Sequence, residues 1–210
     1  MIMKVAAIVP AYNEEATISN VLRTLIRSPL VNEVIVVSDG SKDRTAEISR
    51  RCGAKVVELE ENVGKGGAMK IGTLHTNADV YLFIDADLVG LKNQHISELL
   101  EPVLLGTAEM TVGVFEQGRL ATDLAQKIAP FLSGQRAITK ELFNNIPDLE
   151  NSRFGVEMAL SRYADKHHTS VTRVPLFDLY QIMKEEKRGF FRGFIMRIKM
   201  YWEILRTVRL

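Results

Sequence analysis

Short apolar runs and amphipathic stretches take turns along the first ninety residues. Residues 4–9 (Lys-Val-Ala-Ala-Ile-Val) are short and almost continuously apolar, the pattern of a fully buried strand. Pro10 lacks a backbone donor and is expected to stop it. Asn13 stands where a helix cap belongs, with Glu14 and Glu15 in the first turn, and Ile18, Val21, Leu22 and Leu25 recur at helical spacing. Residues 34–37 read as a second buried strand running into Ser38, Asp39, Gly40 and Ser41. A helix over about 43–51 is expected to stop at Gly53. Residues 55–59 form the third strand, and the stretch 61–69, with Gly64, Lys65, Gly66 and Gly67, opens the third helix. The fourth strand, 80–84, ends directly in Asp85, Ala86 and Asp87.

Strand and helix in strict alternation predict a parallel sheet with right-handed crossovers. In such sheets ligands sit beyond the carboxyl ends of the strands. Those ends carry Tyr12 and Asn13, Asp39 and Gly40, and Asp85 and Asp87. Two hard carboxylates one residue apart suit Mg²⁺ or Mn²⁺ shared with nucleotide phosphates, while a plain Asp-rich turn is the competing reading. The Gly-rich stretch is not a P-loop, because Gly66 follows Lys65 where Ser or Thr is needed. Three glycines around a lysine at a helix start still make a usable anion site; a flexible helix entry is the alternative. Beyond Gly90 the pattern weakens. Helices are expected at 96–105, 120–129, 154–165 and 189–210, strands at 110–115 and 170–176, and a mixed loop and strand at 132–138.

Composition narrows the class. The chain has 210 residues, 46% hydrophobic and with a net charge of +1, which fits one globular domain and carries no global nucleic-acid signature. The charge is uneven: residues 184–210 hold eight basic side chains against three acids. One cysteine, Cys52, rules out an intrachain disulfide and fits a cytoplasmic setting. No apolar run reaches membrane-span length, and no signal-peptide pattern precedes the first strand. The expected organisation is a single domain, with a first half at about 1–90, a second at about 91–188 and a basic amphipathic helix at about 189–210. That helix suits packing on the domain, on a second copy, or peripherally on the inner face of a membrane.

The joint order is more informative than any single motif. Pro-Ala-Tyr-Asn-Glu-Glu follows strand one, Asp-Gly-Ser-x-Asp follows strand two, Asn-x-Gly-Lys-Gly-Gly precedes helix three, and Asp-Ala-Asp follows strand four. This set resembles the family-2 glycosyltransferases with the GT-A nucleotide-diphospho-sugar transferase fold, near the glucosyl-3-phosphoglycerate synthase and polyprenyl-phosphate sugar synthase branches. The resemblance implies a metal-dependent transferase moving sugar from a nucleotide-diphospho-sugar, typically of UDP, to a small anionic or lipid-linked acceptor. It implies donor contacts at Pro10, Ala11, Tyr12, Asn13, Glu14, Asp39, Lys65, Asp85 and Ala86, with Asp85 and Asp87 holding Mg²⁺ or Mn²⁺. Glu157, at an expected helix start, joins Asp87 as a catalytic candidate, although the Glu-Asp pair of inverting relatives is missing. Gly134 and Arg136 are acceptor-loop candidates. His167 and His168 are available to a metal shell, but a solvated turn is the plainer reading, and Gln181 stands near where some relatives place a histidine. A sugar-nucleotide synthesising enzyme would carry its Gly-rich loop after strand one, which this chain does not. A non-catalytic nucleotide-sugar binder or scaffold is the other alternative.

Overall fold

Residues 3–115, 133–147, 149 and 155–181 are described by the structure, a computed structural model. Two compact units divide after Tyr180, and all described residues but Gln181 fall in the first. The elements are β1 (Val5–Ala11), α1 (Ile18–Arg27), β2 (Glu33–Asp39), α2 (Thr45–Cys52), β3 (Lys55–Leu59), α3 (Lys65–Leu74), β4 (Val80–Phe83), β5 (Leu88–Val89), α4 (Asn93–Leu104), β6 (Met110–Phe115), β7 (Arg136–Thr139), α5 (Lys140–Asn145), α6 (Val156–Lys166), β8 (Val171–Leu176) and β9 (Tyr180–Gln181). The helices expected at 120–129 and 189–210 lie outside the described residues.

Seven strands form one sheet in the order β3-β2-β1-β4-β7-β6-β8. Pairing is parallel from β3 to β4 and between β6 and β8, and antiparallel on both sides of β7. The expected mostly parallel α/β architecture is therefore present. The period of two along β1 divides the core. Val5, Ala7 and Val9 pack with Leu22 and Leu25 of α1 and with Leu99 and Leu100 of α4. Ala6 and Ile8 face the other way, toward Met69 of α3, Phe143 of α5 and Leu160 of α6. Helices thus cover both faces, which is why these strands read as continuous apolar runs.

Two expectations near strand one are corrected. Pro10 does not stop β1, which continues to Ala11 with Pro10 opposite Val37. The alternation of backbone groups explains it. Val5 O accepts from Asn32 on the β2 side, and Ile8 O accepts from Ile84 on the β4 side. Pro10 shares the orientation of Ile8, but β4 pairing ends at Ile8 opposite Phe83. A proline there forfeits no ladder bond. Asn13 is not the cap of α1, which begins at Ile18 after Thr17. It adopts φ 55°, a left-handed conformation Asn tolerates better than most residues. Gly53 ends α2 as expected, in left-handed geometry at φ 95°.

Candidate functional site

Chain order places the site before any side chain is considered. From β1 the sheet grows outward through β2 and β3, and then α3 carries the chain back to β4 on the other side of β1. The crevice between β1 and β4 is the switch point where an open sheet binds ligands. β4 delivers Asp85 and Asp87 to its lip. β7 runs antiparallel to β4 with Phe83 opposite Arg136. The residues just before β7 are therefore carried alongside those just after β4, so Gly134 and Gln135 meet Asp85.

The loops after β1 and β2 are knitted together. Asn13 N donates to Ser41 Oγ (3.2 Å), Lys42 N to Asn13 Oδ1 (2.8 Å), Glu14 N to Thr45 Oγ1 (2.8 Å) and Glu15 N to Asp43 Oδ2 (3.1 Å). Ser41 Oγ reaches Ala11 O (3.4 Å). Tyr12 is the exposed member of this rim, while Ala11 is buried and Pro10 and Glu14 are half-buried. Asp39 is buried and grips the next loop: its Oδ1 accepts from Val63 N (2.7 Å) and its Oδ2 from Gly64 N (3.0 Å). Gly40, at φ 69°, lets the chain pass so close to that loop that an added Cβ would lie 2.7 Å from Asn62 N. Asp39 thereby fixes the backbone immediately before Lys65, the first residue of α3.

Lys65 is the hub. Its Nζ lies 2.5 Å from Asp85 Oδ1 and 2.6 Å from Glu157 Oε1, with all three side chains largely enclosed. Burial alone would lower the lysine pKa, but the two carboxylates outweigh it and hold it well above the usual lysine range. Asp85 Oδ2 accepts from Gln135 Nε2 (3.2 Å). Gly134 is pressed against the pair: a Cβ there would stand 2.3 Å from Lys65 Nζ and 2.5 Å from Asp85 Oδ2. Ala86 is buried and Asp87 half-buried.

Arg136, an acceptor-loop candidate together with Gly134, turns inward. It is fully buried. Nε donates to Ser133 O (3.0 Å), and Nη2 donates to Ser161 Oγ (2.9 Å) and to Glu157 O (3.1 Å). Burial lowers its pKa to about 10, partly opposed by Glu157, so the guanidinium keeps its charge near neutrality. It braces the start of β7 and the first turn of α6, behind the cluster rather than in the crevice.

The structure thus gathers Lys65, Asp85, Glu157 and Gly134 into one cluster, with Asp39 supporting its backbone. Gln135 was missed as a site residue. The only signal available was its place between Gly134 and Arg136, and nothing in local periodicity reveals an antiparallel register to residue 85. Among the described residues no group of three or more His, Cys, Asp or Glu is arranged to hold a metal. The donor chemistry nevertheless fits a hard divalent ion that completes its shell with phosphate and water. Two carboxylates face one ammonium, Asp87 follows Asp85 by two residues, and the ammonium already stands as a cation on Asp85 Oδ1. His167 and His168 are exposed in a turn, with the His167 ring stacked on Tyr163 at 4.1 Å. Among the described residues no helix is long and apolar enough to cross a membrane.

Known proteins share this fold. A crystal structure of glucosyl-3-phosphoglycerate synthase from Mycobacterium tuberculosis, in complex with Mn²⁺, UDP-glucose and phosphoglyceric acid, superposes with a TM-score of 0.74 at 27% identity, covering 86% of this chain and 72% of that one. By sequence, that synthase is 29% identical over 194 residues, covering 74% of this chain and 59% of its own length. The 4,4'-diaponeurosporenoate glycosyltransferase of Staphylococcus haemolyticus is 40% identical over 102 residues, 46% of this chain and 27% of the relative. The chain therefore spans less than two thirds of the length of each of these two relatives. The expected GT-A architecture is that of its structural neighbours. The glycosyl transferase family 2 model matches residues 6–169, more than three quarters of the sequence. The chain belongs to glycosyl transferase family 2.

Proposed function

We propose that this chain is a metal-dependent glycosyltransferase that moves a sugar from a nucleotide-diphospho-sugar, a UDP-sugar by preference, to a small anionic or lipid-linked acceptor. The observation that carries this reading is the Lys65–Asp85–Glu157 cluster at the β1/β4 crevice, with Asp87 two residues beyond Asp85. Solved complexes of the mycobacterial synthase with Mn²⁺, UDP-glucose and phosphoglyceric acid support the donor, the metal and an anionic acceptor.

The residues divide the work as follows. Pro10, Ala11, Tyr12, Asn13 and Glu14 border the nucleoside from one rim. Asp39 sits at the base end and sets the loop that leads into Lys65. Asp85 and Asp87 would hold Mg²⁺ or Mn²⁺, which when bound supplies a Lewis acid for the departing diphosphate. Lys65 brings a second positive charge to the same phosphates and is preorganised by the first turn of α3. As Lys65 turns toward phosphate it releases Glu157. That carboxylate then faces the acceptor, where it positions the acceptor hydroxyl or takes its proton.

Binding is the direct test. UDP-glucose with Mn²⁺ should stabilise the protein against heat, by about 2.7 kcal/mol at one hundred times Kd. Asp87→Ala should remove the Mn²⁺-dependent part of that shift. Equal shifts in the variant and wild type would sink the assignment of Asp87, and no shift in the wild type with any nucleotide-sugar would sink the reading as a whole.

A further inference from the structure

We infer that Gln135 is a positioning residue of this site, holding Asp85 through its amide nitrogen and offering its amide oxygen to an O–H group that arrives with the donor. This rests on the proposed donor and metal site and names a further residue within it. Gln135 is fully buried. Its backbone is fixed on both sides, with the carbonyl accepting from Gly113 N (2.8 Å) and the amide nitrogen donating to Ser133 Oγ (3.4 Å). The side chain is thereby aimed at the lip of β4, where Nε2 donates to Asp85 Oδ2 (3.2 Å).

The other end of the amide carries the inference. Gln135 Oε1 is buried and, among the described residues, has no hydrogen-bond partner. Orphaned buried acceptors are uncommon and costly, so each calls for a reason. Turning the amide over does not provide one, because the carbonyl oxygen would then face the Asp85 carboxylate, acceptor against acceptor. The orientation that satisfies Asp85 necessarily leaves Oε1 open, beside a carboxylate whose other oxygen bears the Lys65 ammonium. A hydroxyl or water proton is the chemistry that completes it. Two sources bring one to this point: a water on the metal and a hydroxyl of the transferred sugar. In both cases one residue couples the orientation of Asp85 to the occupant of the crevice. Partners of this kind around a metal ligand are worth about 10–100-fold in affinity.

The test measures Mn²⁺ binding to the full chain by electron paramagnetic resonance of free Mn²⁺, with UDP and separately with UDP-glucose. Gln135→Met keeps the side chain's length and removes both polar ends. With its thermal midpoint near the wild-type value, Q135M is expected to bind Mn²⁺ about 10–100-fold more weakly. An equal loss with UDP and UDP-glucose is the lost hold on Asp85 together with a water at the metal, and a loss that is larger with UDP-glucose identifies a sugar hydroxyl as the partner of the amide oxygen. Unchanged affinity with both in a folded Q135M overturns the inference. Should Q135M melt too low to be read, Gln135→Asn, which withdraws the amide by one methylene, is expected to show the same loss. The underlying functional reading fails in a different way, by wild-type protein that binds neither Mn²⁺ nor UDP.

Discussion

Lys65 behaves as a tethered cation. Its ammonium bridges Asp85 and Glu157, the latter ninety-two residues away from the lysine in sequence, at distances typical of strong charge-assisted hydrogen bonds. A divalent ion seeking Asp85 must therefore displace it. A nucleotide diphosphate eases that exchange, because it offers the lysine another anion. Two opposite effects follow for Lys65→Met. With no nucleotide present, Asp85 and Glu157 lose their counter-charge, so Mn²⁺ should bind more tightly than to wild type, by on the order of tenfold for each 1.4 kcal/mol of attraction uncovered. UDP affinity in the presence of saturating Mn²⁺ should fall, since a phosphate partner is gone. Calorimetric titration of Mn²⁺ and UDP separately checks both signs, and a parallel fall in the two affinities would show that Lys65 merely holds the site together. The lysine itself was legible in the sequence as a cation among glycines at a helix start. Its bridge to Glu157 was not, because no local pattern records which carboxylate lies across the crevice.

At the scale of elements, the first half was readable and the second half much less so, for a physical reason. β1 to β4 are buried on both faces and are joined by α1, α2 and α3 in sequence order, so hydrophobic runs and punctuation sufficed. β7 is four residues long, lies antiparallel between β4 and β6, and is placed partly by β4, more than fifty residues away. Gln135 and the inward turn of Arg136 depend on that placement. Within the first half, the rim loops hold each other through Asp43. Its carboxylate accepts from Thr45 Oγ1 and N and from Glu15 N. Burial raises its pKa, but these hydrogen bonds outweigh burial and leave it below the ordinary value of 3.8. The folded pKa is depressed, so its contribution is present above the unfolded value and is lost as pH falls through the folded one. Asp43→Asn should therefore lower the thermal midpoint near neutrality, and the gap from wild type should close below about pH 3.8. Midpoints measured across an acid series decide it; a gap that persists at the acid end would assign the loss to something other than the charge.

Across the molecule, Arg136 is the joint between sheet and helix that the two halves of the site share. One guanidinium ties Ser133, ahead of β7, to Glu157 and Ser161 on α6, and its Nη1 rests 3.8 Å from Met110 Sδ on β6. The elements that carry Gly134, Gln135 and Glu157 toward Lys65 and Asp85 are thus locked to one another from behind. Arg136→Met preserves much of the apolar volume but strands Ser133 O and Ser161 Oγ in the interior and takes a second donor from Glu157 O. With each stranded group costing about 1–3 kcal/mol and some relieved by water, a destabilisation of about 2–4 kcal/mol is expected. Because the cluster is assembled by the same brace, nucleotide-dependent Mn²⁺ binding should weaken in protein that is still folded. Arg136→Lys should recover part of the stability and less of the binding, since an ammonium cannot reproduce the planar fork. With the folded pKa lowered only to about 10, native and unfolded chains both keep this group protonated near neutrality. The stability difference between wild type and R136M should accordingly be flat between about pH 6 and 9, as equal proton binding in the two states requires. Urea melts across that range read the difference directly, and a steep slope would mean that the interior is held by a titrating group other than the buried guanidinium.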